Sequence, residues 1–184
     1  MELDKAIQSR TSVRKFKSKK PDWRAILEAI DAARYAPMAG NNYTVKFIVV
    51  DEPQKIQKLA DAAQQDRIAN SHYVVVVVSN PSRTINAYGE RAEKYLRQQA
   101  GAAIENFLLK IEDVGLSSCW VGHFVDHMVK DILSIPDGVE VEALLPVGYK
   151  FENQKKKMNA NPDEILRFNS FRNKKMNPPK KLEV

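Results

Sequence analysis

Arg10-Thr11-Ser12-Val13-Arg14 places two guanidinium groups around two hydroxyls within five residues. Arginine presents a planar fork of donors that suits an oxyanion, and serine and threonine hydroxyls can fill its remaining acceptor positions. The stretch reads as an anion clamp, set against the plainer alternative of a solvated, charged helix end. Other residues with chemical potential are weaker candidates. His123 and His127 are four apart with Asp126 between them, but no glutamate follows His123 as in His-Glu-x-x-His, so we read a polar turn and expect no metal. Cys119 has no evident base beside it and reads as a small core residue rather than a nucleophile. Tyr88 and Arg91 could face a substrate or simply the surface. No residue stands out as a catalytic acid or base.

The charge distribution supports the clamp. Residues 1–20 carry seven basic and two acidic side chains, and residues 150–184 carry ten and four, whereas the stretch between them carries twelve and seventeen. Positive charge is thus confined to the two ends, and if both fold onto one place they make an electropositive site for a small anionic ligand. A nucleic-acid surface is the competing reading of the basic balance. The basic ends lack an aromatic-rich RNA-binding pattern and zinc-finger spacing, so we expect no nucleic-acid partner.

The elements that must position these residues follow from periodicity. Leu3, Ala6 and Ile7 have helical spacing and lead into the clamp. Asp22 reads as an N-cap for a helix carrying Trp23, Ile26, Leu27, Ile30 and Ala33, which Pro37 and the Gly40-Asn41-Asn42 turn bring to an end. Residues 37–44 should form a short, flexible loop rich in amides, and residues 45–50 a strand. Pro53 opens a helix to about Ala63 with Ile56, Leu59 and Ala60 on its apolar side. The unbroken run of five valines at 74–78 predicts a strand buried on both faces, the centre of a sheet covered by helices. Residues 89–115 form the longest periodic segment, apolar on much of its circumference, with Gly115 as its C-cap. Residues 116–121 read as a strand, 126–133 as a short helix capped by Asp126, and 140–149 as a further strand.

At 184 residues, 43% hydrophobic and 28% charged, the chain suits one compact domain, and no stretch approaches the roughly 20 apolar residues of a membrane span. The N-terminus lacks a secretory layout, and Cys119 is the only cysteine, so we expect a cytoplasmic protein. From residue 150 the chain is basic and too poor in large apolar residues for a core of its own. We expect residues 1–150 to form the domain and 151–184 a basic arm lying on it or on a partner subunit.

Four motifs together resemble the nitroreductase family: Arg10-Thr11-Ser12-Val13-Arg14-Lys15-Phe16, then Ala36-Pro37-Met38-Ala39-Gly40-Asn41, then Gly101-Ala102-Ala103-Ile104-Glu105-Asn106 running on to Gly115-Leu116-Ser117-Ser118-Cys119-Trp120-Val121-Gly122, and Leu145-Pro146-Val147-Gly148-Tyr149. Each alone is weak, but four in order along nearly the whole chain are specific. The resemblance implies an α+β fold, a mostly antiparallel central sheet flanked by helices, in an intertwined homodimer with FMN at the subunit interface. Arg10, Thr11, Ser12 and Arg14 would then hold the FMN phosphate, ribityl chain and pyrimidine edge. Pro37, Met38, Ala39 and Asn41 would reach the flavin from the other subunit, Val121 and Gly122 would lie near flavin N5, and Lys156 or Lys157 would complete the phosphate site.

The activity so implied is hydride transfer from NAD(P)H through the flavin to nitro, quinone or similar small electrophilic acceptors by a ping-pong mechanism. The alternatives are a flavin-binding protein with little turnover and a related activity such as reductive dehalogenation. Met38, Ala39, Tyr43 and Thr44 replace the serines, glutamine and proline common in the family's loop, so nitroaromatic specificity does not follow from the resemblance.

Overall fold

The computed structural model describes residues 1–152 and 159–176. It divides the chain into two units, Met1–Gln154 and Lys155–Val184. The first holds a four-stranded antiparallel sheet of β1 (Val45–Val50), β2 (Tyr73–Ser79), β3 (Ser117–Ser118) and β4 (Glu140–Gly148), in the spatial order β1-β2-β4-β3. Its helices are α1 (Leu3–Ser9), α2 (Trp23–Ala33), α3 (Pro53–Ala63), α4 (Ser82–Tyr88), α5 (Ala92–Asp113) and α6 (Asp126–Leu133). Among the described residues of the second unit, a short helix, α7 (Pro162–Ile165), is capped by the Asn161 side chain.

The valine run behaves as its composition requires. Every residue of β2 is buried, and its side chains alternate between two cores. Val75 and Val77 pack with α2 and α5 through Ile26, Ala29, Ile104 and Phe107. Val74, Val76 and Val78 face α3 and α6 through Leu59, Ala62 and Val129. A register shift opposite Val77 and Val78 resets the alternation of β4, so that Ala143, Leu145 and Val147 face the first core while Val141 and Leu144 face the second.

Several local signals act as expected. Asp22 accepts a hydrogen bond from the Arg24 N–H at 3.0 Å, and Pro53 lies in the first turn of α3. Gly115, at φ +78°, ends α5, and the Leu116 N–H returns to the Ile111 carbonyl at 3.0 Å, the closing bond that turns the chain into β3. Other expectations are corrected. The periodic segment after Gly89 starts as a 3-10 turn, Gly89–Arg91, before α5 proper. The strand expected over 116–121 shrinks to Ser117–Ser118, with Val121 bridging Leu144 on its own. Asp126 is the first residue of α6 rather than its cap. Helix α4 lacked a periodic signature because its seven residues span barely two turns.

Candidate functional site

The Arg10–Arg14 stretch is pinned as an extra strand beyond the edge of the sheet. Arg10 is the C-cap of α1. Ser12 bridges Ser118 in parallel fashion, and the Val13 N–H donates to the Ser118 carbonyl at 2.9 Å. Farther on, Lys17 donates to the Tyr149 carbonyl at 2.8 Å and Phe151 donates back to the Lys15 carbonyl at 3.0 Å. Val13 is buried, 1% exposed, while Arg14 is exposed. An extended backbone with an apolar side chain turned inward must present its neighbours outward, and this is how the segment projects Arg14. Gly148 permits the close approach, since a Cβ there would lie 2.8 Å from the Phe16 ring and 3.0 Å from its Cβ.

Arg14 opens onto a cavity of about 680 Å³ with Lys15, Ser18, Arg67 and Asn70, and with Phe16 and Phe151 as apolar walls. Among the described residues, three cations and no carboxylate line it. Arg67 and Asn70 were missed in the sequence because they sit in a 3-10 turn (Asp66–Ile68) and the link after it, fifty residues from the clamp. Their only signal was a basic and an amide residue just before the valine strand. Arg10 points elsewhere: its Nε lies 3.4 Å from the Glu105 carboxylate on α5, with its side chain 15% exposed.

The Pro37 loop is braced rather than loose, which corrects the expected flexibility. Ala39–Asn41 form a 3-10 turn, and the buried Gln99 of α5 bridges its two sides. Gln99 Oε1 accepts from the Ala39 N–H at 3.1 Å, and its Nε2 donates to the Thr44 hydroxyl. Gly40 is left-handed at φ +56°, and a Cβ there would meet the Tyr88 hydroxyl at 2.5 Å. Tyr88 itself packs edge-on against Tyr95, with ring centroids 5.1 Å apart. Pro37 and Asn41 are exposed and Met38 and Ala39 half-buried; none of the four lines the Arg14 cavity.

Val121 is buried and locked to Leu144 by two backbone hydrogen bonds of 3.0 Å. It thereby fixes the exposed Gly122 beside the Trp120 indole, whose Nε1 is 3.8 Å from where a Gly122 Cβ would stand. The far edge of the ring lies 3.9 Å from where a Cβ on Gly101 of α5 would stand. Cys119 is buried in the second core, and among the described residues no group of histidine, cysteine and carboxylate side chains is placed to hold a metal ion. Lys156 and Lys157 lie outside the described residues.

The sequence profile of the nitroreductase family matches residues 7–67 and 57–149. The chain belongs to that family. An Archaeoglobus fulgidus protein, provisionally named NADH dehydrogenase/NAD(P)H nitroreductase, is 28% identical over 172 residues, which cover 89% of this chain and 95% of its own. The crystal structure of a nitroreductase family protein from Clostridium novyi NT superposes with a TM-score of 0.76 at 29% identity, over 94% of this chain and 96% of that one. An FMN-dependent nitroreductase from Clostridium difficile R20291 gives a TM-score of 0.78 at 22% identity, over 90% and 98% of the two chains.

A nitroreductase needs a flavin, and two features here fit one. The Ser118 hydroxyl, next to Ser12, is buried without a hydrogen-bond partner, a state that costs free energy unless water or a ligand supplies the partner. The cavity of Arg14 and Arg67 offers guanidinium donors to an electron-rich edge. Among the described residues no helix is long and apolar enough to cross a membrane.

Proposed function

We propose that the protein, an oxidoreductase of the nitroreductase family, binds FMN and works as a homodimer. It would take hydride from NAD(P)H and pass it to small electrophilic acceptors such as quinones and nitro compounds. The observation that carries this reading is the juxtaposition of the sheet-pinned Arg10–Arg14 stretch with a cavity lined, among the described residues, by Arg14, Lys15 and Arg67 and by no carboxylate. When bound, FMN supplies hydride acceptance and donation at N5.

This chain's residues do the holding. Arg10, Thr11, Ser12 and the unpartnered Ser118 hydroxyl take the phosphate and ribityl chain. Arg14 and Arg67 face the pyrimidine edge, where fixed positive charge favours electron gain by that edge. Val121, held by Leu144, fixes the Gly122 backbone toward the reacting atom. Pro37, Met38, Ala39 and Asn41 reach the site from the second subunit, braced through Gln99. No side chain is assigned to proton transfer.

An absorbance spectrum of the purified protein, taken before and after anaerobic NADPH or NADH, tests this. We expect a yellow protein that bleaches and regains its colour on addition of a quinone. A protein that takes up no FMN, or binds it yet stays oxidised with both nucleotides, overturns the proposal.

A further inference from the structure

Beside the braced loop lies a second, smaller cavity of about 260 Å³, lined by Tyr43, Thr44, Lys46, Asn80 and Arg83. Its volume is several times the ~30 Å³ share of one water molecule, so it has room for a tetrahedral oxyanion. Lys46 on β1 and Arg83 on α4 both line it, no carboxylate does, and neither cation has an ion-pair partner among the described residues. Nine other lysines and arginines among the described residues have a carboxylate within ion-pair distance. Arg97 meets Glu142 at 2.8 Å, Lys110 meets Asp113 at 2.7 Å and Arg34 meets Asp31 at 2.6 Å.

Two unmatched cations converging on one concavity repel each other unless an anion joins them. The polar groups around them suit that anion. Tyr43 adds a phenol hydroxyl that can donate to it. The cavity is also tied to the loop: Thr44 lines it, accepts from the Asn80 N–H at 2.9 Å through its carbonyl and receives Gln99 Nε2 at its hydroxyl. Gln99 in turn holds Ala39.

We propose that this cavity is an anchor for an oxyanion, the phosphate or carboxylate of a substrate whose redox-active end is presented to the flavin at the Pro37 loop. The anchor rests on the flavin-oxidoreductase reading, and two sources share its chemistry: a phosphate of the dinucleotide donor, or the carboxylate of an anionic acceptor.

The direct test uses the purified protein saturated with FMN, so that the flavin's own phosphate site is filled, and follows backbone amide resonances while inorganic phosphate is added. Saturable shifts at Tyr43, Lys46, Asn80 and Arg83 that vanish in Lys46→Ala/Arg83→Ala and return in part with Arg83→Lys support the anchor. Unsaturable shifts spread over basic residues at large overturn it. This measurement needs no turnover, so its failure is separate from failure of the flavin to bleach.

Steady-state kinetics then identify the source. If the dinucleotide phosphate is held, the double variant raises KM for NADPH or NADH about tenfold with kcat little changed. If the acceptor is held, KM for 4-nitrobenzoate rises about tenfold while that for nitrobenzene stays. Unchanged KM for all four substrates overturns the proposal.

Discussion

Replacing Gln99 with leucine should uncouple the Pro37 loop from the long helix. Gln99 is 3% exposed and Thr44 5%, so the substitution strands a buried hydroxyl, and it also strips the half-buried Ala39 N–H of its acceptor. A buried polar group left unsatisfied costs about 1–3 kcal/mol. With the Ala39 amide at the low end because water can reach it, the two together come to about 2–4 kcal/mol. For a chain of this size, at about 2 kcal/mol per molar urea, that lowers the denaturation midpoint by about 1–2 M. Amide hydrogen exchange at Ala39 should accelerate, and FMN affinity should fall about tenfold if the loop contributes to flavin binding. Thr44→Val in the Gln99→Leu background offers an internal check. It removes the stranded hydroxyl and should recover about 1 kcal/mol, because deleting both partners costs less than deleting one. A midpoint within about 0.2 M of wild type, with Ala39 exchange unchanged, would refute the bracing role of Gln99.

Three further expectations follow from named contacts. Gly148→Ala drives a methyl into the Phe16 ring at 2.8 Å; it should cost about 1–3 kcal/mol in thermal unfolding and weaken FMN binding in parallel, and a variant that binds flavin normally would separate Phe16 packing from the clamp. Arg10→Ala should release FMN without unfolding the chain, and Arg67→Ala should weaken it about tenfold, both read by flavin fluorescence titration; flavin retention unchanged in both would mean the anion clamp is misplaced. The Asp113 carboxyl is held at about 2, below its ordinary 3.8, by the Lys110 ammonium first and the amino-terminal nitrogen second. A depressed carboxyl stabilises the fold above its ordinary value, and that contribution disappears as pH falls from about 4 toward about 2. Urea midpoints of wild type and Asp113→Asn should therefore differ at pH 7 and converge near pH 2, and a gap that persists at pH 2 would point to packing rather than charge.

Legibility in the sequence followed how local each cause is. The five valines needed no partner to declare a strand buried on both faces, and β2 is buried along its whole length between the α2–α5 and α3–α6 layers. Asp22, Pro53 and Gly115 each act on their own turn of backbone, so their roles could be read in place. The clamp was also visible, because its arginines and hydroxyls are contiguous, but what it projects into was not. Arg67 joins Arg14 only because the chain between β1 and β2 brings the 3-10 turn after α3 to the sheet end where residues 12–17 are laid down. Gln99 was legible only as one more residue on a helix face, since its hydrogen-bond partners lie 60 and 55 residues away.

The same distinction explains the loop. From residues 37–44 alone, Pro, Gly and Asn imply freedom, as turn chemistry does. What removes that freedom is a single buried amide on α5 and the phenol of Tyr88, which sits where a Gly40 side chain would be. The bracing passes from α5 through Gln99 to Ala39 on one side and Thr44 on the other, so the loop residues proposed to face the flavin and the Lys46–Arg83 cavity share one support. A substrate anchored by its oxyanion in that cavity would be held against the element that carries Met38 and Ala39. Its reach to the flavin would then be fixed by α5 rather than by the loop's own composition. On this argument Gln99→Leu should weaken phosphate binding at Arg83 as well as flavin binding, a coupling that two independent sites would not show.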